Sequence, residues 1–424
     1  MTLRVGIVSL GCPRNLVDSE SILSRLKEKN ITITKLEKAD VAIVNTCAFI
    51  KEAKEESIET ILNLIELKER GYIKKIIVYG CLVQRYKQEL SRHIKGVDAF
   101  VGRLNLNGKF ARKYSLTASH FAYVKISEGC GNVCSYCVIP KIKGALHSRS
   151  IESVIEQVKI LDKKNTKEIN LVGQDISLYG SDCSGSPQIV KLIKEILKHA
   201  QNIRWIRLLY LHPAHVSDEL IDLIAKEERI CKYVDLPIQH INDRILKAMN
   251  RRISKSKIVS LIKKIRKRID NVYIRTSIIT GFPTETNTEF EELLDFLREV
   301  KFQRLGAFIY SREEDTRAYS FKGQIHYKTK KARFDKVMSV QREIASKLNE
   351  SLLGQEKCVM VDNRDDNEPN LYLGRLEQDA PEVDGIVYVK SRKKLFPGEI
   401  QRVKIVDTLE YDLIGQMKTQ LSER

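Results

Sequence analysis

Three short apolar runs, at residues 5–10, 41–44 and 76–79, each lead within a few positions into a cysteine: Gly11-Cys12-Pro13, Asn45-Thr46-Cys47 and Gly80-Cys81. Those cysteines fall 35 and 34 residues apart. Between the runs lie stretches with helical spacing, 19–29 with Ile22, Leu23 and Leu26 on one face, and 57–68 with Ile58, Ile61, Leu62 and Ile65. Strand and helix in alternation predict a parallel sheet with helices on its faces. Ligands of such sheets collect outside the carboxyl ends of the strands, so Cys12, Cys47 and Cys81 are expected to meet there. The competing reading is three separately buried thiols, because unlinked cysteine is often a core residue.

A second trio is contiguous. Residues 128–140 place Cys130, Cys134 and Cys137 just after a strand-like run containing Ala122, Tyr123, Val124 and Ile126. Thiolates this close suit a soft metal or an iron–sulfur cluster. Zinc sites favour four ligands and paired C-x2-C spacing, whereas His147 is the nearest fourth candidate here and lies in a basic segment. Three ligands on a cubane leave one iron free of protein. The C-x3-C-x2-C spacing, with Tyr136 before the last cysteine, resembles the signature of radical S-adenosylmethionine (SAM) enzymes. That resemblance implies that the open iron holds SAM and that reduction of the cluster splits SAM to a 5′-deoxyadenosyl radical.

The chain of 424 residues is long enough for two or three domains. Its apolar content of 42% and charged content of 30% fit a globular protein, and no apolar run approaches the ~20 residues of a membrane helix. The N-terminus runs directly into a strand and shows no signal peptide. Nine cysteines outside a secretory context point to a reducing compartment, the cytoplasm. The net charge of +18 suits an anionic partner such as RNA or the ribosome. Lysines that merely solvate helix faces give the same total, as in Lys263-Lys264-Ile265-Arg266-Lys267-Arg268.

The organisation predicted is α/β: an N-terminal open parallel-sheet domain over 1–104, a linker at 105–119, a central domain over 120–350, and a small antiparallel β-barrel over 351–418. Strand candidates at 169–172, 203–211, 233–236, 272–279 and 304–310 alternate with helical patterns such as 190–197 and 290–300. This resembles the partial (βα)6 barrel of radical SAM enzymes, whose substrates lie at the carboxyl ends of the strands as in full barrels. By that resemblance Gln174 and Arg275, and with them Gln239, are expected to hold SAM; each could equally be a loop or cap residue. Arg149 matches a family arginine after the cluster loop and could instead serve an ion pair. Gly281-Phe282-Pro283-Thr284-Glu285-Thr286 departs from the family pattern by Thr284 in place of glycine, so its turn is expected to differ in shape.

Alternating runs at 356–362, 371–376, 385–389 and 400–407 predict the terminal barrel. Leu373-Gly374-Arg375 and Ala380-Pro381-Glu382-Val383-Asp384-Gly385 make it resemble a TRAM domain. Residues 351–424 carry 11 Lys and Arg against 14 Asp and Glu, a balance of −3 that leaves +21 on the rest. A mildly acidic barrel suits a basic protein better than a phosphate backbone.

A second three-cysteine site beside a radical SAM motif resembles the methylthiotransferase family, through Ser9-Leu10-Gly11-Cys12-Pro13-Arg14-Asn15, Asn45-Thr46-Cys47 and Gly80-Cys81-Leu82-Val83-Gln84-Arg85. The resemblance implies two [4Fe-4S] clusters, one on Cys12, Cys47 and Cys81 and one on Cys130, Cys134 and Cys137. It implies SAM used both as methyl donor and as radical source. Gly173-Gln174-Asp175 and Tyr210-Leu211-His212-Pro213 resemble the branch that modifies an aspartate β-carbon in protein twelve of the small ribosomal subunit. A monomer is expected, acting on the ribosomal protein or ribosome, with a reductase and a sulfur donor as partners and no membrane. The alternatives are a tRNA adenosine methylthiotransferase and a non-enzymatic iron–sulfur or zinc scaffold that binds ribosomes. Cys183, Cys231 and Cys358 fit neither trio.

Overall fold

The computed structural model describes residues 3–103 and 112–417. Strands β1 (Arg4–Ser9), β2 (Thr32–Ile33), β3 (Val41–Thr46), β4 (Lys75–Gly80) and β5 (Ala99–Val101) form a parallel sheet in the order β2-β1-β3-β4-β5. β3 is central and buried along its whole length, which is why its first four residues read as an unbroken apolar run, while buried Asn45 and Thr46 donate to Asn15 O and Tyr79 O. The edge strands β2 and β5 are two and three residues long, too short to leave a periodic signal. Helix α1 (Pro13–Glu28) starts six residues before its apolar periodicity does. Pro13 sits in its first turn, where a missing N–H costs nothing. Helices α2 (Lys51–Glu69) and α3 (Cys81–His93) follow β3 and β4.

Residues 105–111 of the expected linker lie outside the described residues, and 112–119 are not loose. The Arg112 guanidinium is buried in an ion pair with Glu20 of α1. The Leu116 N–H donates to Glu20 Oε1 at 2.8 Å, and the Lys113 and Tyr114 N–H groups donate to Ser24 Oγ. The partners stand about 90 residues away in sequence, so nothing local announces the docking.

Six parallel strands then form an open barrel: β6 (Phe121–Lys125), β9 (Glu168–Val172) and β10 (Trp205–Leu208), followed by β11 (Tyr233–Asp235), β12 (Tyr273–Thr280) and β13 (Arg304–Ile309). A small hairpin, β7 (Ser127–Glu128) with β8 (His147–Ser148), closes the base of the loop that carries Cys130, Cys134 and Cys137. The two three-stranded halves meet through the Ile206–Ile230 bridge and a bond from Leu211 N–H to Asp235 O at 2.9 Å. Alternation along each strand sends residues such as Ile169, Leu171, Ile206 and Ile274 outward under the helices. Glu168, Asn170, Arg207 and Asp235, on the other parity, are also fully or almost fully buried.

The turn Gly281-Phe282-Pro283-Thr284 places Thr284 at φ +69°, left-handed backbone that a β-branched residue adopts only under strain. It persists because Thr284 N–H donates to Gly323 O at 2.9 Å and Arg244 donates to its carbonyl and hydroxyl oxygens. Thr284→Gly is expected to relieve about 1–2 kcal/mol of strain but to lose the Arg244 bond to the hydroxyl and add the glycine entropy cost, so that Tm stays within about 2 °C of wild type in a thermal melt.

Helix Tyr327–Glu350 leads into the terminal barrel of β14 (Glu356–Arg364), β15 (Leu371–Leu376), β16 (Val387–Lys390), β17 (Ile400–Thr408) and β18 (Leu413–Met417). It closes in the order β14-β15-β16-β18-β17. Four pairings are antiparallel, and the β16–β18 seam is parallel. β18, which the sequence pattern does not reveal, completes the closure.

This barrel plugs the open one. Buried Glu168 takes Arg207 Nε at 2.9 Å from its own sheet and the Arg375 guanidinium from β15. Arg304 reaches Asp379 at 2.7 Å, Arg275 reaches Asp384 at 3.2 Å, and Tyr233 OH donates to Asp384 at 2.7 Å. Asp362 and Glu377 likewise turn inward, to Arg375 and to Lys232 N–H. Four of the tail's 14 acids, Asp362, Glu377, Asp379 and Asp384, are thus turned from the outer face, which the −3 balance does not describe. No described helix is long and apolar enough to cross a membrane.

Candidate functional site

β1, β3 and β4 are neighbours running in one direction, so their carboxyl ends share an edge. Cys12 caps α1, Cys47 follows β3, and Cys81 is the first residue of α3. Gly11 (φ +83°) passes so near Cys47 that a Cβ there would lie 2.9 Å from its Sγ. Asn15, one turn into α1, stands 3.7 Å from Cys81 Sγ through its Oδ1 and donates through Nδ2 to Thr46 O at 3.1 Å. The three strand-end cysteines thus gather around Gly11 and Asn15. Burial pushes the thiols of Cys47 and Cys81 up, that of Cys81 to about 12. Burial is the largest influence on Cys12 too, but the Arg14 guanidinium 3.5 Å from its sulfur, the Asn15 N–H and Lys143 together outweigh it and hold that thiol below its usual value.

Cys130, Cys134 and Cys137 are fixed by three surrounding segments. Cys130 N–H donates to Gly144 O at 3.2 Å, Ser135 N–H to Met249 O at 2.9 Å, and Ala318 N–H to Ser135 O at 2.8 Å. Gly129, at φ +70°, runs so close to the Ala145 backbone that no Cβ fits. Asn132 turns its N–H toward Cys130 Sγ at 3.4 Å and its amide to Asp175 at 2.8 Å. Burial raises the Cys130 and Cys137 thiols, the latter to about 12. A metal that takes these sulfurs must displace their protons.

A cavity of about 390 Å³ opens at the carboxyl ends of the central strands. Cys130, Cys134, Cys137 and Tyr136 line one side, Arg14, Phe49 and Ile50 come from the N-terminal sheet, and Val383 from the terminal barrel. Gln174, Gln239 and Arg275 all line it. Their situations differ. Gln174 Oε1 is buried with no hydrogen-bond partner, and Gln239 sits at φ +70° with its N–H on Ser277 O at 2.8 Å. Arg275 is already paired with Asp384, with Asp235 at 3.6 Å. Arg149 does not line the cavity; it holds Lys125 O and Ser153.

Sequence reasoning passed over Arg251, whose Nη1 lies 3.9 Å from Cys134 Sγ and whose Nε is buried without a partner. It is an arginine in a polar turn, and nothing in its surroundings marks it. Glu313, also lining the cavity, is bound by Lys54 at 2.8 Å and Arg85 at 2.7 Å, which ties α2 and α3 to the segment after β13. A larger hollow of about 650 Å³ beside helix Ile189–His199 is lined by Lys191, Lys194, Lys198 and Glu219 and holds none of the cysteines.

The donor sets fit clusters better than single ions. Among the described residues, Asp175, His212 and His215 are the one group of three such ligands whose donor atoms all lie within 4.8 Å of one another. Each cysteine trio is spread wider, whereas sulfurs sharing one zinc stand about 3.8 Å apart. The unpartnered Gln174 Oε1 and Arg251 Nε beside Cys130 and Cys134 are what a polar cofactor seated on that trio would satisfy.

Residues 124–297 match the Radical SAM superfamily, 4–102 the Uncharacterized protein family UPF0004, and 353–417 the TRAM domain. The chain is 45% identical to a protein of Clostridium novyi (strain NT) named ribosomal protein uS12 methylthiotransferase RimO, over 97% of each chain. It is 44% identical to the protein of that name in Aquifex aeolicus (strain VF5), over 98% of this chain and 97% of the relative. Among solved structures, the radical SAM methyltransferase TsrM from Kitasatospora setae, with cobalamin and a [4Fe-4S] cluster bound, superposes with TM-score 0.53 at 12% identity. That match covers 73% of this chain and 72% of the other, and is a likeness of fold.

Proposed function

Since the chain belongs to the radical SAM methylthiotransferases, and is similar end to end to those that act on ribosomal protein uS12, we propose that it places a methylthio group on the β-carbon of an aspartate in uS12. The observation that carries this reading is 42–45% identity along almost the whole chain to proteins named ribosomal protein uS12 methylthiotransferase. It is supported by a single cavity with one cysteine trio in its wall and residues from the edge of the other, Arg14, Phe49 and Ile50, in the facing wall.

In this reading Cys130, Cys134 and Cys137 hold the [4Fe-4S] cluster that binds SAM, and Cys12, Cys47 and Cys81 hold a second. Together the bound groups supply a SAM-derived radical able to take hydrogen from an unactivated carbon, and the sulfur that replaces it. The chain itself positions and shields. Gln174, Gln239 and Arg251 offer polar atoms to SAM, and Arg275 does so from within its pair with Asp384 and Asp235. Burial, and after it the nearby Arg251, lower the His212 imidazole to about 3. His212 therefore stays neutral in the wall and exchanges no proton at neutral pH. A reductase and a sulfur donor complete the cycle, and the substrate is taken up in the cytoplasm.

The test is a side-by-side assay of the cluster-reconstituted protein with uS12 and with tRNA, read by mass spectrometry. A gain of one methylthio group on the uS12 aspartate is expected. Modification of tRNA adenosine alone would overturn the proposal.

A further inference from the structure

If the substrate is an aspartate, its carboxylate must be received. A carboxylate drawn into a closed cavity loses its water and is stable there only against a cation that also donates hydrogen bonds. Three arginines line the cavity. Arg275 already faces two carboxylates, Asp384 at 3.2 Å and Asp235 at 3.6 Å. Arg251 is tied to Pro237 O and lies against Cys134, on the side assigned to SAM. The lining carboxylate, Glu313, is neutralised by Lys54 and Arg85. Behind the wall, Lys143 and Lys125 are shared between Asp18 and Glu128.

Arg14 is different. Its Nε reaches Cys12 Sγ at 3.5 Å, its Nη1 donates to Gly173 O at 2.9 Å, and its guanidinium lies 4.4 Å over the Tyr210 ring. Those contacts hold the plane of the fork between the N-terminal cysteines and the end of β9. Among the described residues no carboxylate lies within ion-pair distance of it and its Nη2 makes no hydrogen bond, the Cys12 sulfur and the more distant Glu128 being the anionic groups that act on it. We propose that Arg14 receives the carboxylate of the acceptor side chain and thereby selects aspartate, an assignment that rests on the substrate reading above. A cation anchored on both sides of the cavity sets where the acceptor's β-carbon stands relative to the two trios. A neutral adenine ring would bring that cation no carboxylate, leaving it only the Cys12 sulfur beside it.

The experiment is a cycle that crosses Arg14 with the substrate's own charge. Anaerobic binding is measured for the reconstituted wild type, Arg14→Lys, Arg14→Gln and Arg14→Met, after iron has been counted in each. The probes are two uS12 peptides, one with aspartate and one with asparagine at the acceptor position. Wild type is expected to prefer the aspartate peptide by about 30-fold. Arg14→Lys should keep most of that preference, and the neutral variants should lose it. The preference is a ratio within one protein, so a general loss of affinity cancels. Two neutral variants allow it to be read in whichever retains iron, since the glutamine can still donate to Gly173 O. An undiminished preference in a neutral variant with full iron would overturn the assignment while leaving the substrate reading intact. If wild type binds both peptides poorly and modifies tRNA, the substrate reading itself fails.

Discussion

Glu168→Ala is expected to cost about 3–5 kcal/mol, the typical penalty for breaking a buried ion pair from one side. The effect is large here because the carboxylate has two guanidinium partners. Arg207 Nε lies 2.9 Å away, and Arg375 comes from the terminal barrel. Removing the carboxylate leaves two buried cations facing each other across an emptied site. Their remaining partners are Glu377 O for Arg207 and Asp362 for Arg375, at 2.7 and 3.1 Å. Set against a total stability of about 5–15 kcal/mol, the loss should show as poor soluble yield and a melting transition lowered by many degrees. Glu168→Gln, which keeps a hydrogen-bond acceptor, should fall between. A variant melting within a degree of wild type would mean that the two barrels are not held together by this charge lock.

The second large effect separates the two cysteine trios. Cys81→Ala should lower iron in the reconstituted protein from about eight to about four atoms per chain, one cubane being lost. SAM cleavage should persist while methylthio product disappears, because Cys130, Cys134 and Cys137 and the Gln174–Arg251 side of the cavity are untouched. Cys134→Ala should also halve the iron, but SAM cleavage should fall to background. If both variants lost the same activity, or if wild type bound zinc, the division of labour between the trios would be wrong. The substitution at Cys81 also removes a side chain packed in the core with Leu82 and Val83. Iron analysis should therefore be paired with a melt.

The gathering of the strand-end cysteines was legible because a parallel sheet brings the ends of neighbouring strands to one edge, and that of the contiguous trio because eight consecutive residues hold all three. The six central strands were legible from their outward faces, apolar under the helices, whereas the buried Glu168, Asn170, Arg207 and Asp235 on the other parity gave no such signal. What stayed hidden depends on distant partners. Arg112 and Leu116 look like linker until Glu20 is seen beside them. Arg251 is an ordinary basic residue until the cluster loop folds over it, and Arg275 reads as a free SAM contact until Asp384 arrives from the terminal barrel. The tail's charge balance was countable, but which of its acids face inward was not. That sign argument therefore carries no weight for the choice of substrate, which rests on the relatives.

The arginine sockets in the central strands also limit how this architecture can be rebuilt. Arg207, Arg275 and Arg304 meet Glu377 O, Asp384 and Asp379, so a foreign C-terminal module would have to bring a backbone carbonyl to the first and acids to the other two. Recombination that exchanges such modules between enzymes would leave stranded cations in the host. New target specificity is more readily reached by changing loops on the module's outer surface than by transplanting it whole.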